Sequence, residues 1–250
     1  MKTVVKKSIK RLFSRFRIYQ ALAGGVQYYR SSNEGFHTAK DFLHCGNNVR
    51  IEAGVSIAAP ERLYIGDHTG ICQGCYINAV GGCHIGRGCQ IASGAIILTT
   101  EHTHAGAEML PHGLIRYIKP VFIEDYVWIG IRVSIAPGVR IGEGAIIAMG
   151  SVVMQDVPPL AIVMGNPAKP VMYRSKEEFE RLKNAGVVVD PYAHLPILKV
   201  PPVTRRKFAR ELREFGFDLS LGDEFHYEKG VPLRLRPQAL KREMPDHEMK

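Results

Sequence analysis

The 250-residue sequence lacks any long uninterrupted run of apolar residues. A membrane-spanning helix needs about 20 such residues, and a secretory signal peptide needs a continuous apolar centre near its start. Neither is found, so we expect a cytoplasmic protein. Peripheral contact with the inner face of the membrane stays open.

The body of the chain lacks the excess of basic residues that a nucleic-acid-binding protein carries. The formal net charge is +9, but residues 1–40 contain nine Lys/Arg and one acidic residue, whereas residues 41–174 contain nine and ten. The excess therefore belongs to an N-terminal arm and not to the body of the chain. Because nucleic acids are bound by basic residues on a folded surface, we predict no nucleic-acid partner.

The most regular feature that is present is a ladder of apolar residues. The spacing is 6, 8, 6 in its first part and a constant six after a break, which is neither helical nor simply alternating. The ladder comprises Ile51, Ile57, Ile65, Ile71, Ile77, Ile85, Ile91, Ile97, Ile123, Ile129, Ile135, Ile141, Ile147 and Val153. Repetition of this kind predicts a solenoid that buries its core by stacking coils.

A second column lies two residues before each ladder position and consists of small or β-branched residues. Its members are Val49, Val55, Leu63, Thr69, Cys75, Cys83, Cys89, Ala95, Val121, Val127, Val133, Val139, Ala145 and Ser151. Two inward positions separated by one outward residue describe a short β-strand. Three such strands with glycine-rich corners make one triangular coil.

The columns also assign four of the five cysteines. Cys72 and Cys75 have the CxxC spacing of zinc and redox sites, but Cys75 falls on the inward column and Cys72 on the outward phase. Cys83 and Cys89 are inward as well. We therefore interpret the inward cysteines as compact core residues and expect no metal site here.

Residues 41–174 resemble the hexapeptide-repeat acyltransferases, among them the galactoside, maltose and exopolysaccharide O-acetyltransferases. The resemblance is carried by the repeat, by VWIG at residues 127–130 and by GNPAK at residues 165–169. It implies an all-β left-handed parallel β-helix, an exception to the usual right-handed crossover. It also implies a homotrimer with sites between subunits, and acetyl-CoA as the acetyl donor.

The ladder breaks after Ile97, and a non-repetitive loop, residues 103–120, follows before it resumes. In the family a histidine just before this loop is the general base, and His102 occupies that position. Histidine titrates near neutrality and can take the proton of an attacking hydroxyl. His104 is the alternative base. Glu101, Asn78 and His104 are candidate ligands of the acceptor, with Glu101 equally explained as a solvated loop carboxylate.

The resemblance further implies a coenzyme groove along the second half of the solenoid. Carried over by position, its residues are Trp128, Gly130, Ile131, Met149, Gly150, Ser151, Asn166 and Lys169, with Arg174 as an assisting cation. Two departures from the family pattern are Ile131, where a small residue is common, and Met154-Gln155, where Thr-Lys is common. A lysine that would bind phosphate is thus absent at position 155.

The sequence is compatible with three candidate functions. The first is acetyl-CoA-dependent O-acetylation of a sugar hydroxyl, in surface polysaccharide biosynthesis. The second is N-acetylation of an amino sugar. The third is a γ-class carbonic anhydrase-like zinc lyase, for which His68, His84, His102 and His104 would be the candidate ligands. VWIG and GNPAK argue against the third.

Both ends of the chain extend beyond the family resemblance. Residues 1–40 predict a basic amphipathic helix that caps the first coil or lies on anionic lipid. Residues 175–250 predict two helices, SKEEFERLKNAG and TRRKFARELREFG, separated and followed by proline-rich segments. The role of this extension does not follow from the sequence.

Overall fold

The computed structural model describes residues 29–31, 35–37, 39–107, 109–191, 197–199, 201–214 and 224–226. The chain forms two compact units, Met1–Pro191 and Tyr192–Lys250. The helix predicted for the basic arm and the last proline-rich segment lie outside the described residues. Among the residues described, no helix has the length and apolar character needed to cross a membrane.

Three parallel sheets form the walls of a triangular solenoid in the first unit. Sheet I comprises β4 (Arg50–Ile51), β7 (Gly70–Ile71), β10 (Gln90–Ile91), β15 (Trp128–Ile129), β18 (Ile146–Ile147), β20 (Ala161–Gly165) and the antiparallel β21 (Ala168–Tyr173). Sheet II comprises β5 (Ser56–Ala58), β8 (Tyr76–Asn78), β11 (Ile96–Ile97), β16 (Ser134–Ile135) and β19 (Val152–Val153). Sheet III comprises β3 (His44–Cys45), β6 (Leu63–Ile65), β9 (Cys83–Ile85), β14 (Val121–Ile123) and β17 (Arg140–Ile141).

Each coil runs through sheets III, I and II in turn, and identical register positions stack on one another. Ile91 pairs with Ile71 below and with Ile129 above, and Ile97 pairs with Ile77 and Ile135 in the same way. Two 3-10 turns, Ala39–Asp41 and Pro60–Arg62, and an antiparallel pair, β1 (Tyr29–Ser31) and β2 (Gly35–His37), belong to the N-terminal side.

The predicted columns are the core of this unit. All members of the small column are buried, and every member of the ladder is buried except the half-buried Ile51. The inward cysteines pack as predicted, whereas Cys72 is half-exposed. Burial raises the pKa of the Cys83 and Cys89 thiols to about 12, so these groups stay protonated and unreactive at neutral pH.

The loop ejected between β11 and β14 begins and ends as an antiparallel pair. β12 (Thr100–His102) pairs with β13 (Arg116–Ile118), with Glu101 opposite Tyr117 and His102 opposite Arg116. The segment thus leaves the solenoid at the corner between sheets II and III as a hairpin. The sequence predicted its position but not its strands.

The first predicted C-terminal helix is α1 (Lys176–Asn184), which is capped by the Ser175 side chain accepting from the Glu178 amide at 3.2 Å. Its one buried residue, Phe179, lies against Gly144 and meets the Tyr126 ring edge-on at 5.9 Å. In the second unit, the predicted second helix is α2 (Pro202–Glu214), and β22 (Ile197–Lys199) pairs with β23 (Glu224–His226).

Beyond α1 the chain runs back along the solenoid toward its first coil. Val188 lies close to Gly88, and the Pro191 carbonyl accepts a hydrogen bond from the Arg50 guanidinium at 2.7 Å. We call residues 175–191 the strap, since they connect the last coil with the first. The first part of the C-terminal extension therefore has a structural role, which is to connect the last coil with the first.

Replacing Phe179 by alanine is expected to lower the free energy of unfolding by about 3 kcal/mol, because a buried aromatic ring leaves a cavity when it is truncated. Phe179 is only 6% exposed. Chemical denaturation would measure the change, with Phe208→Ala on α2 as the control, because Phe208 is 41% exposed. Equal effects of the two substitutions would contradict the proposed anchoring of the strap.

Candidate active site

His102 is the last residue of β12, on the hairpin that leaves the solenoid. Its side chain is half-buried, and its Nδ1 atom is enclosed by protein with no hydrogen-bond partner among the residues that the structure describes. The ring nitrogen left to meet a substrate is therefore Nε2. A neutral imidazole that accepts a proton at Nε2 carries its own hydrogen at Nδ1.

Glu101 lies on the opposite face of β12, because side chains alternate along a strand. Its carboxylate accepts a hydrogen bond from the Lys119 ammonium at 2.5 Å. This hydrogen bond, with the charge of Lys119, holds the pKa of the Glu101 carboxyl below its ordinary value. Glu101 is thus ionised at neutral pH and braces the base of the hairpin.

Asn78 reaches the hairpin from the coil below. Its amide donates to the Thr100 hydroxyl at 3.4 Å and its carbonyl oxygen accepts from the Val80 amide at 3.1 Å. Thr100 and His102 share one face of β12 by alternation. Asn78 is therefore connected to the strand that carries the predicted base.

The second imidazole beside His102 is not the one that sequence proximity suggested. His104 is exposed, whereas the His112 ring lies with its centroid 4.0 Å from that of His102, at an interplanar angle of 40°. Sequence reasoning missed His112 because it lies inside the non-repetitive segment, where no ladder phase predicts neighbours. The one hint of His112 in the sequence was that a glycine, Gly113, follows it directly in the loop.

The predicted coenzyme residues gather at a different corner, where sheet I turns into sheet II. Trp128 projects outward from β15 and is 55% exposed, and Ile131 and Met149 are exposed on two successive coils at the same turn. Together they form an apolar ridge along the outside of the corner. Exposed large apolar side chains grouped in this way mark a binding surface.

Gly130 and Gly150 have different roles at this corner. A Cβ at Gly130 would lie 2.6 Å from the Met149 amide nitrogen, so only glycine fits between the two coils. Gly150, at φ +71°, has open space where a side chain would project. Ser151 is buried, and its hydroxyl accepts from the Gly165 amide at 3.2 Å, which fastens the β20–β21 hairpin to this corner.

Asn166 and Lys169 lie exposed at the tip of the β20–β21 hairpin. The Lys169 ammonium donates to the Gln155 side chain at 3.3 Å, so the residue that replaces the lysine common in relatives contacts the remaining cation. Arg174 lies elsewhere. Its guanidinium donates to the Gly144 carbonyl at 3.1 Å and covers the Phe179 ring at 5.1 Å, which makes it part of the anchoring of the strap.

The base and the coenzyme corner are thus on opposite edges of sheet II. The intervening stretch of each coil includes a strand such as β16 and spans on the order of 10 Å at about 3.3 Å per residue. Direct transfer between two substrates requires reacting atoms about 3–3.5 Å apart. The two halves of the predicted site do not meet around one reacting centre within one copy of the chain.

The histidines of the zinc-lyase alternative are dispersed in the structure. The His68 ring contacts the Asn48 amide at 2.9 Å, and His84 stacks on Tyr64 and lies tilted against Phe122 on the outer face of sheet III. Within the described part of the chain, no three His, Cys, Asp or Glu side chains converge in a manner that could hold a metal ion. This arrangement offers the lyase alternative no support.

Comparison with known proteins supports the hexapeptide repeat that the apolar ladder predicts. Residues 120–155 match the family model of the bacterial transferase hexapeptide (six repeats). A 2,3,4,5-tetrahydropyridine-2,6-dicarboxylate N-acetyltransferase of Staphylococcus aureus is 45% identical over 80 residues, 31% of this chain and 34% of the relative. The chain spans about a third or less of the length of the curated relatives that it matches.

Solved structures cover more of the solenoid. A hexapeptide-repeat-containing acetyltransferase from Vibrio cholerae, complexed with acetyl coenzyme A, matches with 31% identity and a TM-score of 0.51 over 54% of this chain and 73% of that chain. A maltose O-acetyltransferase from Clostridium difficile matches with 28% identity and a TM-score of 0.50 over 55% and 72%. These matches confirm the predicted fold class, a left-handed parallel β-helix. The chain belongs to the hexapeptide-repeat-containing acetyltransferases.

Proposed function

We propose that this protein is an acetyl-CoA-dependent O-acetyltransferase that acts on a sugar hydroxyl. The observation that carries the proposal is the placement of His102. It lies on the hairpin that interrupts the solenoid, with Nδ1 enclosed and Nε2 left for a substrate. Family membership supports the acetyl-CoA-dependent chemistry.

In the proposed reaction His102 Nε2 removes the proton of the acceptor hydroxyl as its oxygen attacks the thioester carbonyl. The carbon–oxygen bond forms, the carbon–sulfur bond breaks, and the thiol of coenzyme A leaves with the proton. A positioned base of this kind contributes about 10²–10⁴ in rate. Backbone N–H groups at the turn of a neighbouring coil are suited to stabilise the developing oxyanion.

The corner between sheets I and II suits the acetyl donor. Trp128, Ile131 and Met149 offer apolar surface to the pantetheine arm, and Gly150 lets an extended chain approach the backbone closely. Lys169 at the adjacent hairpin tip supplies positive charge for a phosphate. Gln155, which already contacts Lys169, contributes no second charge, so we expect phosphate binding to depend on Lys169.

We propose a homotrimer in which the hairpin of one copy meets the coenzyme corner of the next. Two different surfaces support this assembly. The hairpin exposes Leu110, Leu114, Ile115, Tyr117 and Ile118, and the coenzyme corner exposes the apolar ridge. Contact between two unlike surfaces generates a ring when the rotation closes. It would also bring His102 to the donor across the subunit boundary.

The acceptor class is proposed from chemistry and from the relatives. The C. difficile relative is a maltose O-acetyltransferase, which favours a sugar hydroxyl, and the Asn78 amide offers a neutral hydrogen-bonding group near β12. The S. aureus relative is an N-acetyltransferase, so an amino acceptor is the second candidate. We place the protein in the cytoplasm, in surface polysaccharide biosynthesis.

The proposed function is tested by incubating the purified chain with acetyl-CoA and following thiol release with a chromogenic disulfide. The acceptor panel contains neutral sugars and matched amino sugars. We expect release that depends on a neutral sugar and a product ester that mild hydroxylamine cleaves. A hydroxylamine-resistant amide formed only with amino sugars would instead establish N-acetylation, and absence of release with every acceptor would refute the transferase.

A further inference from the structure

The enclosed nitrogen of His102 raises the question of what holds this ring in place. A buried polar atom without a partner costs about 1–3 kcal/mol, and His102 Nδ1 has none among the residues described. Hydrogen bonding therefore does not fix the ring plane at this nitrogen. The ring contact in the structure is with His112, at 4.0 Å between centroids.

His112 is itself fixed by the backbone of the hairpin. Its Nδ1 lies 3.0 Å from the Gly113 carbonyl oxygen, and because a carbonyl only accepts, this nitrogen carries a hydrogen. The Gly113 amide donates to the Thr103 carbonyl at 2.8 Å. The buried Thr103 donates its hydroxyl to the Ile115 carbonyl at 2.9 Å.

These bonds form a closed connection between the two histidines. Thr103 follows His102 directly in the chain, and Gly113 follows His112, so the Thr103–Gly113 hydrogen bond fixes the spacing of the two rings. The His112 side chain is exposed on its outer side, whereas its ring packs on that of His102. A ring held at both its backbone and its Nδ1 provides a firm wall for its neighbour.

We propose that His112 is a positioning residue for His102. Its ring sets the plane of the His102 imidazole and keeps Nε2 directed toward the acceptor hydroxyl. This inference rests on the proposed function, in which His102 is the base. A displacement of about 1 Å in a reacting group costs up to about a hundredfold in rate, so loss of the His112 ring is expected to be visible in kcat.

Three substitutions separate the parts of this role. His112→Phe keeps an aromatic ring, His112→Asn keeps a donor near the Gly113 carbonyl without a ring, and His112→Ala removes both. We expect kcat to fall about ten- to a hundredfold in His112→Ala and His112→Asn, with the KM for the acceptor within about threefold of wild type. His112→Phe should recover most of that loss.

The control is His44→Ala, since His44 is an exposed histidine whose ring also packs on an aromatic ring, that of Tyr64 at 4.4 Å, in sheet III and outside the hairpin. We expect its kcat to stay within about twofold of wild type. If His112→Ala behaves like this control, the proposal is overturned. A loss that appears only in the acceptor KM would overturn it too, since it would make His112 a binding residue.

A second measurement does not require activity. Long-range ¹H–¹⁵N spectra of the histidine rings identify the His102 signals by their loss in His102→Ala. We expect His112→Ala to shift and broaden those signals and His44→Ala to leave them in place. Unchanged signals in His112→Ala would refute the positioning role even in an active enzyme. A protein without transferase activity whose His102 signals still respond would refute the proposed function alone.

Discussion

His102→Ala is expected to lower kcat for acetyl transfer by about 10²–10⁴-fold, with the KM for acetyl-CoA near that of the wild type. The reason is that the attacking hydroxyl must lose its proton as the new bond forms, and alanine offers no group to take it. The apolar ridge at the coenzyme corner is untouched by this substitution. Steady-state kinetics with varied acetyl-CoA and varied acceptor would measure both quantities.

The same substitution should leave the fold intact, because it removes an enclosed nitrogen that has no hydrogen-bond partner among the described residues. We expect the thermal midpoint to change by no more than a few degrees, which corresponds to roughly 1 kcal/mol for a chain of this size. Circular dichroism provides this control. If His102→Ala retains more than about a tenth of wild-type kcat, another residue is the base. His104→Ala would then be the first variant to compare.

Random co-assembly of two inactive variants into trimers is expected to regain about a quarter of wild-type activity, and the purified mixed trimers about a third. One variant is His102→Ala, which lacks the base. The other is Ile131→Asp/Met149→Asp, which places two carboxylates on the apolar ridge and should weaken donor binding about a hundredfold or more. The reason for recovery is that the base and the coenzyme corner lie on opposite edges of sheet II and would be contributed by different copies.

The expected fraction follows from random assembly of a ring. About three-quarters of the trimers contain both variants, and about one in three interfaces of each mixed ring joins an intact base to an intact corner. Coexpression at equal levels with two affinity tags yields the mixed species. Light scattering verifies its mass, and separately expressed variants combined after assembly serve as the control. Activity that stays at background in the verified mixed trimers would establish that each site lies within one chain.

The solenoid was predictable because its signal is local and repeated. Each coil presents the same two inward positions, so the ladder with its small column predicted the core, the corners and the outward phase of Cys72. The position of His102 was predictable for the same reason, since it is counted from Ile97. Family resemblance added the handedness, which the period alone does not determine.

The parts that escaped prediction depend on contacts between segments without a repeat. The pairing of Glu101 with Tyr117 is set by hairpin register, which a short non-repetitive strand does not specify in advance. The contact of His112 with His102 and the ion pair of Glu101 with Lys119 both follow from that register. The return of the strap to Arg50 is non-local in the same sense, because 141 residues separate the two partners.

This separation has a consequence for synthesis of the chain. Ribosomes add about 5–20 residues per second, so the first coil waits roughly 7–28 seconds before its strap partner at Pro191 has been made. During that interval the early coils can stack on one another but are held at one side only. A nascent chain stalled before α1 should therefore be cleaved by protease in its first coil, whereas a chain released after Pro191 should resist.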